Sequence, residues 1–67
     1  MRNNFAKNLK NLRNEKGIGQ TALAKELGVS KGIISLWENS LREPTLSSLI
    51  QIAKYFKVSL DYLVGVD

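Results

Sequence analysis

The 67 residues contain no cysteine and no histidine. Disulfides and the usual zinc-ligand sets are therefore excluded, and a fold this small must rest on apolar packing alone. The lack of cysteine suits a reducing compartment. A single proline, Pro44, leaves few obligatory chain breaks. No apolar run approaches the roughly 20 residues of a membrane span, and Met1-Arg2-Asn3-Asn4-Phe5 lacks the apolar core of a signal segment. Sustained period-2 alternation with β-branched residues is missing too, so no strand is expected. These absences predict one soluble, cytoplasmic, all-α domain over 1–67, with no cofactor, metal or membrane partner. Catalysis is disfavoured as well. There is no imidazole or thiol, no Gly-rich phosphate loop, and no carboxylate pair with an evident base partner.

What is present is basic and uneven. The net charge is +4, from 10 Lys and Arg against 6 Asp and Glu. Residues 1–31 carry seven of the basic residues (Arg2, Lys7, Lys10, Arg13, Lys16, Lys25, Lys31) against Glu15 and Glu26. Residues 32–67 carry three against four. The positive field belongs to the first half, which suits a polyanionic partner; a merely solvated helix face would look similar on charge alone.

Breakers at Gly17, Gly19, Gly28, Pro44 and Lys57-Val58-Ser59 cut the chain into pieces that each read at helical spacing. Phe5, Leu9 and Leu12 predict a first helix over 3–16. Leu23, Ala24 and Leu27 predict a second over 20–27, and Ile34 and Trp37 a third over 31–39. Leu46, Leu49, Ile52, Ala53 and Phe56 predict a fourth over 46–56. Leu60 and Leu63 predict a short fifth over 60–64. Gly19, Ser30, Thr45 and Ser59 stand at the helix starts as caps. Ile18 with Leu23, and Val29 with Ile34, are placed as hydrophobic staples.

The second and third helices meet across Gly28-Val29-Ser30. Gly28 admits the positive φ of a tight turn, and Ala24 allows close crossing. This is the helix-turn-helix spacing used to read the DNA major groove. Projected at 100° per residue, the third helix turns Ile33, Ile34 and Trp37 to one side. Gly32, Ser35 and Asn39 lie opposite, flanked by Lys31 and Leu36. That outer face is small, polar and nearly uncharged, so it can sink into a groove about 12 Å wide. Lys31 can donate to guanine or phosphate, Ser35 can donate or accept, and Leu36 can pack on thymine methyls, as can Ile33. Gly32 costs about 1 kcal/mol of helix propensity, which close approach to DNA would explain. Gln20, at an exposed helix start, suits a phosphate.

The run Leu12-Arg13, Gln20, Leu23-Ala24, Leu27-Gly28-Val29-Ser30, Ile34-Ser35, Trp37-Glu38-Asn39, Pro44, Leu49, Ala53 and Val58 to Leu63 resembles the phage repressor/Cro-type (XRE-like, lambda-repressor-like) helix-turn-helix family, over about residues 5–64. The resemblance implies a five-helix DNA-binding domain, most often a repressor, acting on a palindromic double-stranded operator as a homodimer. It implies base reading by Lys31, Gly32, Ser35 and Leu36. Phosphate contacts fall to Gln20, Ser30, Asn39 and Arg42. It also implies a structural ion pair between Arg13 and Glu38. The C-terminal stretch Leu60 to Val66 is the candidate dimer patch, through Tyr62, Val64 and Val66. Two departures stand out. Ser40-Leu41 replaces the usual glycine after Asn39, leaving Asn39 as the residue expected to take the left-handed turn. Gly19 replaces the usual Ser or Thr cap. The rival reading is a helical protein-interaction module of the same fold; such a module should expose several large apolar anchors.

Overall fold

A computed structural model describes residues 3–65. Five helices follow one another: α1 (Phe5–Lys16), α2 (Gln20–Leu27), α3 (Lys31–Glu38), α4 (Leu46–Phe56) and α5 (Leu60–Val64). No strand occurs among the described residues. Three starts are capped by side chains as the sequence suggests. Ser30, Thr45 and Ser59 accept from the backbone N–H of Ile33, Ser48 and Tyr62. Gly19 has no side chain to offer, so α2 begins without a side-chain cap.

The first four helices end alike. A residue one position past the end of α1, α2 and α4, and two past the end of α3, closes the last turn, and the next N–H reaches back five residues. Ile18 N bonds Arg13 O at 3.2 Å, Val29 N bonds Ala24 O at 3.0 Å, Leu41 N bonds Leu36 O at 2.9 Å and Val58 N bonds Ala53 O at 3.0 Å. This satisfies carbonyls that a helix end otherwise leaves open, and it needs one left-handed residue each time. Gly17 and Gly28 fill that position in α1 and α2, but Ser40 (φ 59°) and Lys57 (φ 58°) fill it after α3 and α4.

Two sequence-based boundaries change. α1 starts at Phe5 rather than 3, because Asn3 and Asn4 are used outside the helix: Asn3 Oδ1 accepts from Phe5 N, and Asn4 bonds the end of α5. α3 stops at Glu38 rather than 39. Asn39 sits at φ −100°, and the left-handed turn expected of it falls on Ser40.

The core takes Phe5, Leu9 and Leu12 from α1, Leu23, Ala24 and Leu27 from α2, and Ile34 and Trp37 from α3. Ile52 and Ala53 of α4 and Leu63 of α5 close it. Phe5 meets Trp37 edge-on, with ring centroids 6.1 Å apart. Ile18 and Val29 pack half-buried on this core. Leu46 and Leu60 do not join it, although the apolar spacing included them; each opens its helix, and both remain exposed. Phe56 is only half-buried.

Asparagine and glutamine amides tie the helices where apolar contact ends. Asn8 Nδ2 donates to the carbonyls of Tyr62 and Leu63 at 3.0 and 3.1 Å, and Asn4 Nδ2 donates to Gly65 O at 2.9 Å. These bonds satisfy the end of α5, which is too short to hold itself. Gln51 Nε2 donates to Leu27 O at 2.9 Å, tying α4 to the end of α2.

Ser40 and Gly28 give opposite predictions. Ser40 holds a Cβ where left-handed backbone disfavours one, so Ser40→Gly should stabilise the fold by about 1 kcal/mol. Gly28 (φ +70°) has open space around an added Cβ, so Gly28→Ala should destabilise it by about 1 kcal/mol through backbone strain alone. Urea denaturation of both variants checks this.

Candidate nucleic-acid interface

α2 and α3 meet across Gly28, Val29 and Ser30, with Ala24 buried between them. Ile34 and Trp37 anchor α3 from its inner side, and Ile33 leans half-buried onto the same core. Ile33 therefore packs against the core rather than standing free for a thymine methyl. Lys31, Gly32 and Asn39 are exposed; Ser35 and Leu36 are half-buried. An added Cβ at Gly32 would meet only Ser30 Oγ, at 3.7 Å. Nothing inside the domain requires glycine there.

Behind this face lies a charged knot. Arg13 Nε donates to Glu38 Oε2 at 2.7 Å, and Arg13 Nη2 donates to Glu38 Oε1 at 3.0 Å. Arg13 Nη1 donates to Ile18 O at 3.0 Å. Gln20 Nε2 donates to Glu38 Oε1 at 3.1 Å. Side-chain exposure is only 12% for Arg13 and 3% for Glu38, so the pair is shielded from solvent screening. Burial pushes the Glu38 carboxyl up, but hydrogen bonds from Arg13 and Gln20, with the charges of Arg13 and Lys10, outweigh it. The net result holds Glu38 below the usual carboxylate range. The hydrogen bond to Glu38 likewise raises Arg13 above its ordinary value, against the effect of burial.

Gln20 departs from expectation. It is half-buried rather than exposed, and one of its amide protons is spent on Glu38. What remains at the start of α2 is the second amide proton and the first backbone N–H groups of a helix without a side-chain cap. Asn39 departs further. Its Nδ2 donates to Ser35 O at 2.8 Å and lies 3.3 Å from Ser35 Oγ, so one amide proton is spent on its own helix. Its backbone N–H also goes to Ser35 O, at 3.0 Å. Part of the donor capacity expected to meet a phosphate is thus spent inside the chain. Ser30 caps α3 and keeps its hydroxyl proton. Arg42 is exposed in the segment before α4.

A family profile described as helix-turn-helix matches residues 9–63. The chain belongs to that helix-turn-helix family. It is 38% identical over 60 residues to YqaE of Bacillus subtilis (strain 168), described as an uncharacterized HTH-type transcriptional regulator. That match covers 90% of this chain and 52% of YqaE, so the chain spans about half the length of this relative. A transcriptional regulator from Listeria innocua superposes with a TM-score of 0.92 at 31% identity, over 100% of this chain and 63% of that one. The P22 c2 repressor, solved in complex with a synthetic operator, superposes with a TM-score of 0.86 at 36% identity, over 94% of this chain and 96% of that one. The fold is that of lambda-repressor-like domains.

The sequence did not disclose that Gln20 shares Glu38 with Arg13. No local spacing links positions 20 and 38; only the crossing of the helices does. The Ser35–Asn39 contact has a visible signal, the i, i+4 spacing of a helix.

The charged knot makes acid stability a test. A carboxyl held low in the folded state adds stability that is complete above its unfolded value, near pH 4.3. That stability is lost as the pH falls through the lower folded value. Glu38→Gln should therefore flatten the loss of stability on acidification below about pH 4, followed by denaturant titration at several pH values. At neutral pH, removing one partner of so buried a pair, as in Arg13→Ala, should cost about 3 kcal/mol, and a double-mutant cycle with Glu38→Ala should show clear coupling.

Proposed function

We propose that this domain binds double-stranded DNA in a sequence-specific manner as part of a transcriptional regulator, with α3 in the major groove. The observation that carries the reading is the outer face of α3. It is open, nearly uncharged apart from Lys31, and holds a glycine that packing does not demand. A helix bears such a cost in its second position where a partner's surface must come close. Lys31 reaches guanine N7 and O6 or a phosphate, and Leu36 packs on a thymine methyl. Phosphates sit at the start of α2, beside Gln20, at the Ser30 hydroxyl, and at Arg42. The P22 c2 repressor, solved on an operator, supports this docking by its similarity over nearly the whole chain.

Repression rather than activation follows the same relative, and a palindromic operator follows from a two-fold dimer. Tyr62 is 54% exposed and Leu60 is 38% exposed, while Val64 is half-buried. These residues supply the described part of the C-terminal dimer patch; Val66 lies outside the described residues. The exposed apolar side chains Leu41, Leu46 and Ile50 also resemble what a protein-interaction module would show. They lie outside α3, so they leave its reading face unexplained.

Selection of bound duplexes from a random pool tests the whole reading, with a two-fold consensus expected. Lys31→Ala and Leu36→Ala should each flatten the preference at one position of each half-site by about tenfold. Arg42→Ala should weaken all sequences alike and lower the log–log salt slope by about one. An unchanged slope rejects the phosphate role. Sedimentation of the domain on a two-half-site duplex should give two copies per duplex, and Tyr62→Ala should reduce occupancy of the second half-site.

A further inference from the structure

Four successive carbonyls at the end of α5 are received by two asparagines at the start of α1. Asn8 Nδ2 donates to Tyr62 O at 3.0 Å and to Leu63 O at 3.1 Å. Asn4 N donates to Val64 O at 2.7 Å, and Asn4 Nδ2 donates to Gly65 O at 2.9 Å. This clasp constrains residues on both of its sides. Asn4 stands at the N-cap of α1, where an asparagine side chain ordinarily accepts from the first turn, yet it makes no capping bond. Gly65 turns with φ +49°, and an added Cβ there would lie 3.1 Å from Asn8 Nδ2 and 3.5 Å from Asn4 Cβ. The left-handed turn and the close approach both call for glycine.

The clasp acts on a helix that is otherwise free to turn. α5 has five residues and one fully buried side chain, Leu63. It can pivot about that anchor with little loss of apolar contact, and the pivot would swing the exposed Leu60 and Tyr62. Hydrogen bonds to carbonyls of four consecutive residues resist such a motion, because each tolerates little change of length or angle. We propose that Asn4 and Asn8 are positioning residues for the two-copy complex: they fix the direction in which α5 presents Leu60 and Tyr62 to a second copy, and through it the separation of the two half-sites. Neither asparagine touches the second copy or the duplex in this assignment. α1 also carries Arg13, which holds Glu38 at the end of α3. One helix thus serves as the reference for both the DNA-facing helix and the contact between copies, as a fixed half-site separation demands.

This inference rests on α5 serving as the contact between copies, and the test keeps the two apart. Binding is measured on a duplex with one selected half-site, and on a series with two whose separation changes by single base pairs. The proteins are the wild type, Asn8→Ala, Asn4→Ala, Tyr62→Ala and, as a control, Gln51→Ala, which loses a similar amide-to-carbonyl bond between α4 and α2. The wild type should favour one separation. Asn8→Ala and Asn4→Ala should keep their affinity for one half-site, and lower the advantage of the favoured separation over its neighbours by about fivefold or more. Gln51→Ala should keep that advantage, although melting curves should show it destabilised like the other two. Should Asn8→Ala fail to fold, Asn4→Ala, which leaves the backbone bond of position 4 in place, carries the test. A wild type that selects no consensus or is indifferent to separation, or a Tyr62→Ala variant that keeps the wild-type advantage, removes α5 as the contact, and the inference falls with it. Where Tyr62→Ala loses the advantage, three results overturn the inference alone. One is either asparagine variant keeping the advantage while folded. Another is those variants losing one-half-site binding by the same factor. The third is Gln51→Ala losing the advantage as they do, which would reduce the effect to overall stability.

Discussion

The charged knot of Arg13, Glu38 and Gln20 decides how the other parts of the domain stand. Glu38 is the last residue of α3, Gln20 the first of α2, and Arg13 lies in the last turn of α1. One carboxylate therefore joins three helices, and Arg13 adds the carbonyl of Ile18 in the turn that leads into α2. Its contribution to net stability is modest, because desolvating two charges offsets much of their attraction. Its contribution to geometry is larger. A forked guanidinium on a carboxylate accepts little rotation, whereas the apolar contacts beneath it would tolerate sliding. The angle of α3 and the start of α2 are set together, and these are the two elements proposed to touch bases and phosphates.

That arrangement separates affinity from discrimination. An acid at the end of a DNA-facing helix would repel phosphate if it stood alone. Arg13 neutralises it from behind, so α3 needs no further cation on its outer face beyond Lys31. Most of the positive charge lies elsewhere, on Lys7, Lys10 and Lys16 of α1, Lys25 of α2, Lys54 of α4, and Arg42 and Lys57 outside the helices. In the proposed complex, long-range attraction would act through those side chains, while short, directional groups on α3 would meet the base edges. A helix lined with lysines would bind DNA more tightly and distinguish sequences less.

Most of the fold was legible because it rests on local rules. Helical spacing placed all five helices, and the starts of α2 to α5 fell where their caps or breakers stood. The exceptions share a cause. Leu46 and Leu60 fit the periodicity, but each opens a helix, where spacing does not report depth. Asn4, Asn8 and Gln51 gave no apolar signal, yet their amides close the ends of α5 and α2. Polar partners distant in sequence depend on the assembled fold, and no window of residues contains them. For the candidate site, the members of the α3 face were legible, but the state of their hydrogen bonds was not. Gln20 and Asn39 read as free donors in sequence, and the packed chain spends one amide proton of each internally.

Three places break local preference, Gly32, Ser40 and Lys57, and the first two flank the proposed reading surface. Gly32 weakens α3 in its first turn, and Ser40 takes a left-handed turn just past its end. The other left-handed turns next to the site, at Gly17 and Gly28, use glycine. At Ser40 the following residue, Leu41, occupies the position whose side chain ordinarily packs back on the helix, as Ile18 and Val29 do on theirs. Leu41 instead stands 73% exposed. The turn after α3 thus carries backbone strain and forgoes its apolar contact. A sequence under no constraint but stability would place glycine at position 40 and pack position 41. That neither occurs, in the segment leading from the reading helix to Arg42, is what a surface shaped for a partner would show.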